Sequence, residues 1–269
     1  MKVSSITDKG NGQVNEDSFL ITDNLFGVFD GATGLIKYTD ENGNTGGFLA
    51  SQIAKRVFKQ NQHESLIPSL ETINTEIRKA MKAAGVPMHD KGALWTTGVS
   101  IAKVLDTQVE YIQLGDAPII FIKQDGSFNT LFSDHDLETL KLWKHLVQQG
   151  VRDIRHDERM EEQLLKVRRQ TNISYGVLNG EPEALAFVLQ GTVSKSNLAH
   201  ILIFSDGMLI PQENPENTEN FETIVKLYKE DGLEKVKTFV RNIEDSDPGC
   251  LQYPRFKQHD DLTAIAIDF

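Results

Sequence analysis

Four short stretches of the chain place an acidic residue at one end of an apolar run: NEDSF at 15–19, VFDGATG at 28–34, IFSDGM at 203–208 and HDDLTAIAI at 259–267. Asp30 and Asp206 each follow such a run and are each followed by glycine; Asp260 precedes the last run. Clustered carboxylates repel one another unless a cation neutralises them. Mg²⁺ and Mn²⁺ are hard cations that take oxygen ligands and keep several waters. A glycine after the aspartate lets the backbone come close, so that its carbonyl can also ligate. Two such ions roughly 3.5–4 Å apart can prepare a hydroxide for in-line attack on phosphorus. Singly, an Asp-Gly pair after a strand reads as an ordinary turn; the combination, in this order and with these flanks, is more specific and points to a divalent-metal site built on Asp30, Asp206 and Asp260.

The elements that must position these residues are short β-branched and aromatic runs at 17–22, 25–30, 93–104, 109–114, 118–123, 184–190, 200–205 and 262–269. Two pairs read as hairpins, 17–22 with 25–30 across Asp23-Asn24, and 109–114 with 118–123 across Gly115-Asp116. Helical spacing of apolar residues predicts helices over 47–58, 67–84, 134–149, 157–169, 218–229 and 233–243. Strands and helices come in blocks rather than in alternation, which predicts an α+β fold with antiparallel sheet. In antiparallel sheets opposite ends of neighbouring strands share a rim, so the three carboxylates can meet there. Residues 124–183 are charged and poor in strand signals, and read as a helical insertion within one domain spanning 1–269.

Composition narrows the partners. Of 269 residues, 39% are hydrophobic and 25% charged, as in a globular protein. A net charge of −11 argues against nucleic-acid binding through bulk electrostatics. No apolar run approaches the length of a membrane span, and the first residues lack the apolar core of a signal peptide. A single cysteine, Cys250, allows no internal disulfide, which suits a cytoplasmic protein, and it reads as a non-catalytic thiol. A monomer is expected.

As a set, these motifs resemble the metal-dependent protein phosphatases of type 2C, in a divergent, bacterial-type form. The family's ordered motifs read here as Asn15-Glu16-Asp17, Asp30-Gly31, Gly115-Asp116, Ser205-Asp206-Gly207 and Asp260-Asp261-Leu262-Thr263, with TTGVSIAKV at 96–104 entering a central strand. The resemblance implies a sandwich of two antiparallel β-sheets flanked by helices (α-β-β-α), with two divalent ions, Mg²⁺ or Mn²⁺, in a cleft at one rim. By position, Asp30 would bridge both ions, the Gly31 carbonyl would bind one, and Asp206 and Asp260 the other. Glu16 and Asp17 would ligate directly or hold metal-bound waters. Asp116 would support the site or a third ion, and 124–183 would be the variable flap. The implied reaction is hydrolysis of phosphoserine or phosphothreonine in proteins by a metal-activated water, without a covalent phosphoenzyme.

The chain also departs from the family pattern. The position of the phosphate-binding arginine is Gly12, that of the histidine proposed as general acid is Ala32, and that of an aspartate supporting a third ion is Ile210. Phosphate recognition then falls to Lys9, Lys37, an arginine of the flap or the ions themselves. Thr33 and Thr97 either donate to substrate and metal-bound water or satisfy backbone groups. His259, next to Asp260, is either a proton donor or a solvated loop residue. Trp95 and Trp143 read as packing residues. Arg152, Arg155, Arg159, Arg168 and Arg169 either face a phosphoprotein or pair with neighbouring acids. Two other functions fit the same features: a weak or inactive relative that binds phosphoproteins as a regulatory module, and a hydrolase of small phosphate esters.

Overall fold

The computed structural model describes residues 1–132, 135–217 and 219–269. Ten strands form two antiparallel five-stranded sheets. One holds β2 (Ser18–Ile21), β3 (Leu25–Ala32), β4 (Thr96–Val104), β5 (Gln108–Leu114) and β8 (Leu189–Ser194), in that order. The other is ordered β1 (Lys2–Asp8), β10 (Leu262–Asp268), β9 (Leu198–Phe204), β6 (Ile119–Lys123) and β7 (Phe128–Leu131). Side-chain alternation along each strand divides its residues between two layers. Phe26 and Val28 of β3 and Ala102 and Val104 of β4 meet Phe121, Ile201, Ile203, Ile265 and Ile267 of the other sheet between the layers.

The outer faces are covered by helices, which completes the α-β-β-α sandwich. Leu25, Phe29, Val99 and Ile101 pack under α1 (Gly46–Gln60) and α2 (Leu66–Ala83). Leu202, Phe204, Ala264 and Ala266 pack under α5 (Phe221–Ser246). Asp231 and Gly232 break the helical backbone of α5, at the position where the sequence separates two helices. Thr218, the first residue of the helix predicted there, and Asp134, the first of the one predicted at 134–149, lie outside the described residues. No helix among the described residues is long and apolar enough to cross a membrane.

Between β7 and β8 stand α3 (Leu137–Gln148) and α4 (Glu158–Arg169), which enclose a separate small core of Trp143, Leu146, Ile154, Met160 and Cys250. The Trp143 indole donates to the Cys250 carbonyl at 2.7 Å, tying this segment to the loop that precedes β10. Trp95 is likewise a core residue, its ring tilted against Tyr38 with centroids 4.7 Å apart.

Three expectations change. The hairpin predicted over 109–123 does not form, because β5 and β6 belong to different sheets. β6 (IIFIK) is buried on both faces over Ile119–Ile122, in the other layer, and residues 115–118 carry the chain from one layer to the other. Gln113 and Ser100 donate to carbonyls of that crossing at Gly115 and Ala117. The strand predicted at 184–190 is replaced by a 3₁₀ turn at Pro182–Phe187, with β8 beginning at Leu189. Pro182 opens the turn, since its fixed φ suits a helical start, and Ala184, Leu185 and Phe187 pack on the α2 core instead of a ladder. The segment assigned to the insertion begins with a β6–β7 hairpin. The edge strands β1 and β7 were not predicted at all.

Replacing Trp143 with alanine removes a 2%-exposed side chain and is expected to cost about 3–5 kcal/mol. Hydrogen exchange should show α3 and α4 losing protection first, with the two sheets still protected.

Candidate active site

The pairing puts one set of chain ends on a common rim. Asp30 lies near the end of β3, opposite Gly98 of β4. Asp17 immediately precedes β2, the antiparallel neighbour of β3. Asp116 follows the end of β5, two strands over and parallel to β3. In the other sheet Asp206 follows β9, and Asp260 precedes its antiparallel neighbour β10. A bond across the sheets, from the Asp206 N–H to Asp30 Oδ2 at 3.3 Å, joins the two halves.

Close approach at the rim depends on missing side chains. A Cβ on Gly31 would strike the carbonyls of Glu16 and Gly47, neither of which can yield easily.

The rim forms one wall of a cleft of about 670 Å³. Glu16, Asp30, Gly31, Thr33, Asp116, Asp206 and Asp260 all face it. Asp17 stands behind them, 7% exposed, accepting a 2.6 Å bond from the Ser205 hydroxyl. Burial, with Coulomb repulsion from Asp261 and Asp260, pushes the Asp17 carboxyl up to about 8. Burial also raises Asp30 well above the usual range, reinforced by Asp206, Asp17, Asp116 and Asp260. Asp206 is raised by burial and by Asp260, Asp116 and Asp17. A set of crowded carboxylate oxygens facing one cleft suits a hard divalent cation, and the donors here fit such an ion.

Not every residue singled out by the sequence reaches the cleft. Lys9 is on the exterior, donating to the Gln13 carbonyl at 3.3 Å. Thr97 is fully buried, its hydroxyl donating to the Gly98 carbonyl at 2.9 Å. Glu16 faces the cleft, but its carboxylate accepts bonds from the hydroxyls of Thr33 and Thr45 and from the Thr33 N–H. It thereby knits the loop after Gly31 to the start of α1. His259 is bonded to Asp245 at 2.8 Å and does not line the cleft. Arg159 pairs with its own helix cap, Asp157. Arg168 alone of the five arginines reaches across to the site, donating to the Thr33 carbonyl at 3.3 Å.

Other functional groups are visible only in the fold. Asp261 is 5% exposed and accepts the N–H groups of Gly10 at 2.9 Å and Glu16 at 2.8 Å, so it clasps the first acidic motif to the last. Among the described residues, Asp116, His135 and Asp136 are the trio whose ligand atoms all lie within 4.8 Å of one another. The His135 ring stacks on Tyr175 at 4.1 Å. The His-Asp pair was legible in the sequence of the insertion, but nothing local linked it to Asp116. Lys257, on the loop before β10, forms an ion pair with Asp260 at 2.5 Å.

A helix-flanked double sheet with an acidic rim is the architecture of the metal-dependent phosphatases. The family model for protein phosphatase 2C matches residues 8–241, and the chain belongs to that family, whose activity is metal-dependent dephosphorylation of proteins. No curated protein matches the chain by sequence. Among solved structures, the serine/threonine phosphatase Stp1 from Staphylococcus aureus is 18% identical, with a TM-score of 0.60, covering 100% of this chain and 94% of that one. The Mycobacterium tuberculosis phosphatase PstP/Ppp is 17% identical, with a TM-score of 0.58 and coverage of 100% and 98%. A catalytic domain of PstP in complex with 2 manganese ions is 16% identical, at 0.58, with 99% and 97% covered. At such identities the likeness is one of fold.

The raised carboxyls have a consequence for stability. A carboxyl whose folded pKa lies above its unfolded value binds protons in the folded state, so stability falls as pH rises between the two. Without divalent ions, the melting temperature should decline from about pH 4 up to about pH 8, the value reached by Asp17. Adding Mn²⁺, or replacing Asp206 with asparagine, should flatten that decline in thermal melts.

Proposed function

We propose that the protein is a phosphatase for phosphoserine and phosphothreonine in proteins, using two divalent ions, Mg²⁺ or Mn²⁺. The observation that carries this reading is the meeting of Asp30 from one sheet with Asp206 and Asp260 from the other at the wall of a single cleft. In this reading Asp30, the Gly31 carbonyl, Asp206 and Asp260 would hold the ions. Bound there, the ions supply positive charge to the phosphoryl group and activate water for attack.

The chain's own residues fix the geometry around that chemistry. Ser205 orients Asp17 behind the rim, from where its charge adds to the field holding the cations. Glu16 acts as a positioning residue: by bonding Thr33 and Thr45 it keeps the Gly31 backbone against the cleft. Asp116 and His135 stand on the wall where the helical segment meets the rim, so that segment serves as a flap over the substrate. Its Arg168, anchored at Thr33, limits how far the flap can open. Oxygen donors of this kind are shared by Mg²⁺ and Mn²⁺.

Hydrolysis of a phosphothreonine peptide, and of p-nitrophenyl phosphate, is expected with Mn²⁺ and abolished by EDTA. Losing a ligand should cost more than the roughly 10–100-fold that supporting partners cost, so Asp206→Asn should reduce kcat/KM by at least that much while the protein stays folded. Comparable turnover of both substrates would favour a small-ester hydrolase, and no turnover by folded protein with either metal would overturn the proposal.

A further inference from the structure

Three basic side chains line the cleft: Lys37, Arg168 and Lys257. Among the described residues, Lys257 is the one whose charge meets a rim carboxylate, its Nζ standing 2.5 Å from Asp260 Oδ1. Both members of this pair are held independently of it. Arg255, two residues before Lys257, donates to the carbonyls of Glu244, Asp247, Tyr253 and Gln258 and to the Asp247 carboxylate, pinning the loop. The Asp260 backbone is fixed by Arg241, which donates to its carbonyl at 2.8 Å.

The lysine head is not confined. Its side chain is 43% exposed, and it borders both the main cleft and an adjoining cavity that also reaches Asp206. Gly12, which also lines the cleft, contributes no side chain at all. A phosphate held by a cation at Asp30 and Asp206 would therefore lie near one flexible ammonium, a group with three donors suited to phosphoryl oxygens.

We propose that Lys257 is a displaceable counter-ion: it neutralises Asp260 in the metal-free protein and, once a divalent cation takes that carboxylate, turns into the cleft to bind the phosphoryl oxygens of substrate and product. The inference rests on the phosphatase reading above. It assigns one residue two successive partners, and these have opposite consequences. Lysine and cation compete for Asp260, so removing the lysine tightens metal binding. The same removal leaves the phosphate one donor short, so it weakens phosphate binding. A lysine with only a structural role would not move the two affinities in opposite directions.

The test uses the full chain as wild type, Lys257→Met and Lys257→Arg. Calorimetry reads Mn²⁺ binding without substrate, then inorganic phosphate binding to the Mn²⁺-loaded protein. Lys257→Met is expected to bind Mn²⁺ several-fold more tightly and phosphate about tenfold or more weakly, the scale of one hydrogen bond to a charged group; Lys257→Arg should retain phosphate binding within a few-fold. Unchanged phosphate affinity in Lys257→Met, or weaker Mn²⁺ binding, overturns the inference. Wild type that binds Mn²⁺ and phosphate but does not hydrolyse phosphopeptide overturns the phosphatase reading alone, because the calorimetric comparison still decides the role of Lys257. Failure of wild type to bind Mn²⁺ overturns both. If Lys257→Met loses its thermal transition, Lys257→Gln is judged by the same two affinities.

Discussion

Crowded negative charge at one rim is the constraint around which this molecule is arranged. Burial raises the proton affinity of Asp17, Asp30 and Asp206, and the neighbouring carboxylates, Asp260 among them, add repulsion that opposes their ionisation further. A chain that tolerates such a group must hold it by interactions that do not depend on it. Here the ladders of both sheets carry that load. β3 is paired along its length with β4, and β10 is held between β1 and β9. Each carboxylate lies within two residues of the end of a strand that the interior already fixes.

The loops between those strands are tied with unusual thoroughness on the side facing the cleft. Asp261 takes two N–H groups from the N-terminal segment, Glu16 takes two threonine hydroxyls, and Arg255 spans its own loop with donors to four carbonyls. The Asp261 bonds link residues near the two ends of the chain, so this part of the site needs both sheets in place. The charges that bind and the charges that brace therefore differ in kind. Braced acids such as Glu16 and Asp261 have their oxygens occupied by donors, whereas Asp30 receives a single 3.3 Å bond from Asp206.

Legibility in the sequence followed the range of the interactions. The α1 and α2 helices were readable because their apolar spacing reports directly on one buried face. The strand containing Ala184–Phe187 was misread because apolar residues after Pro182 pack under α2 in a 3₁₀ turn, and a short apolar run does not distinguish the two. The Gly115-Asp116 turn looked like a hairpin because turn chemistry is local, while the choice between one sheet and two is made by layers the run cannot see. The edge strand β1, KVSSITD, has too little apolar content to announce itself; its strand geometry comes from pairing with β10.

The amino-acid sequence by itself determined the type and order of the acidic residues, the glycines beside them and the block arrangement of strands and helices, because each of these is a local property. The convergence of Asp30 with Asp206 and Asp260, the satisfaction of Glu16 by Thr33 and Thr45, the burial of Thr97, and the pairing of Lys257 with Asp260 were decided only by the tertiary structure. All but the last join residues brought together by strand pairing or by the docking of a helix. The Lys257 pair, three residues apart, forms because Arg255 and Arg241 set both backbones first. Local periodicity specifies which face of an element is apolar; which rims then coincide is set by the packing of two sheets, and that is where the chemistry of this chain resides.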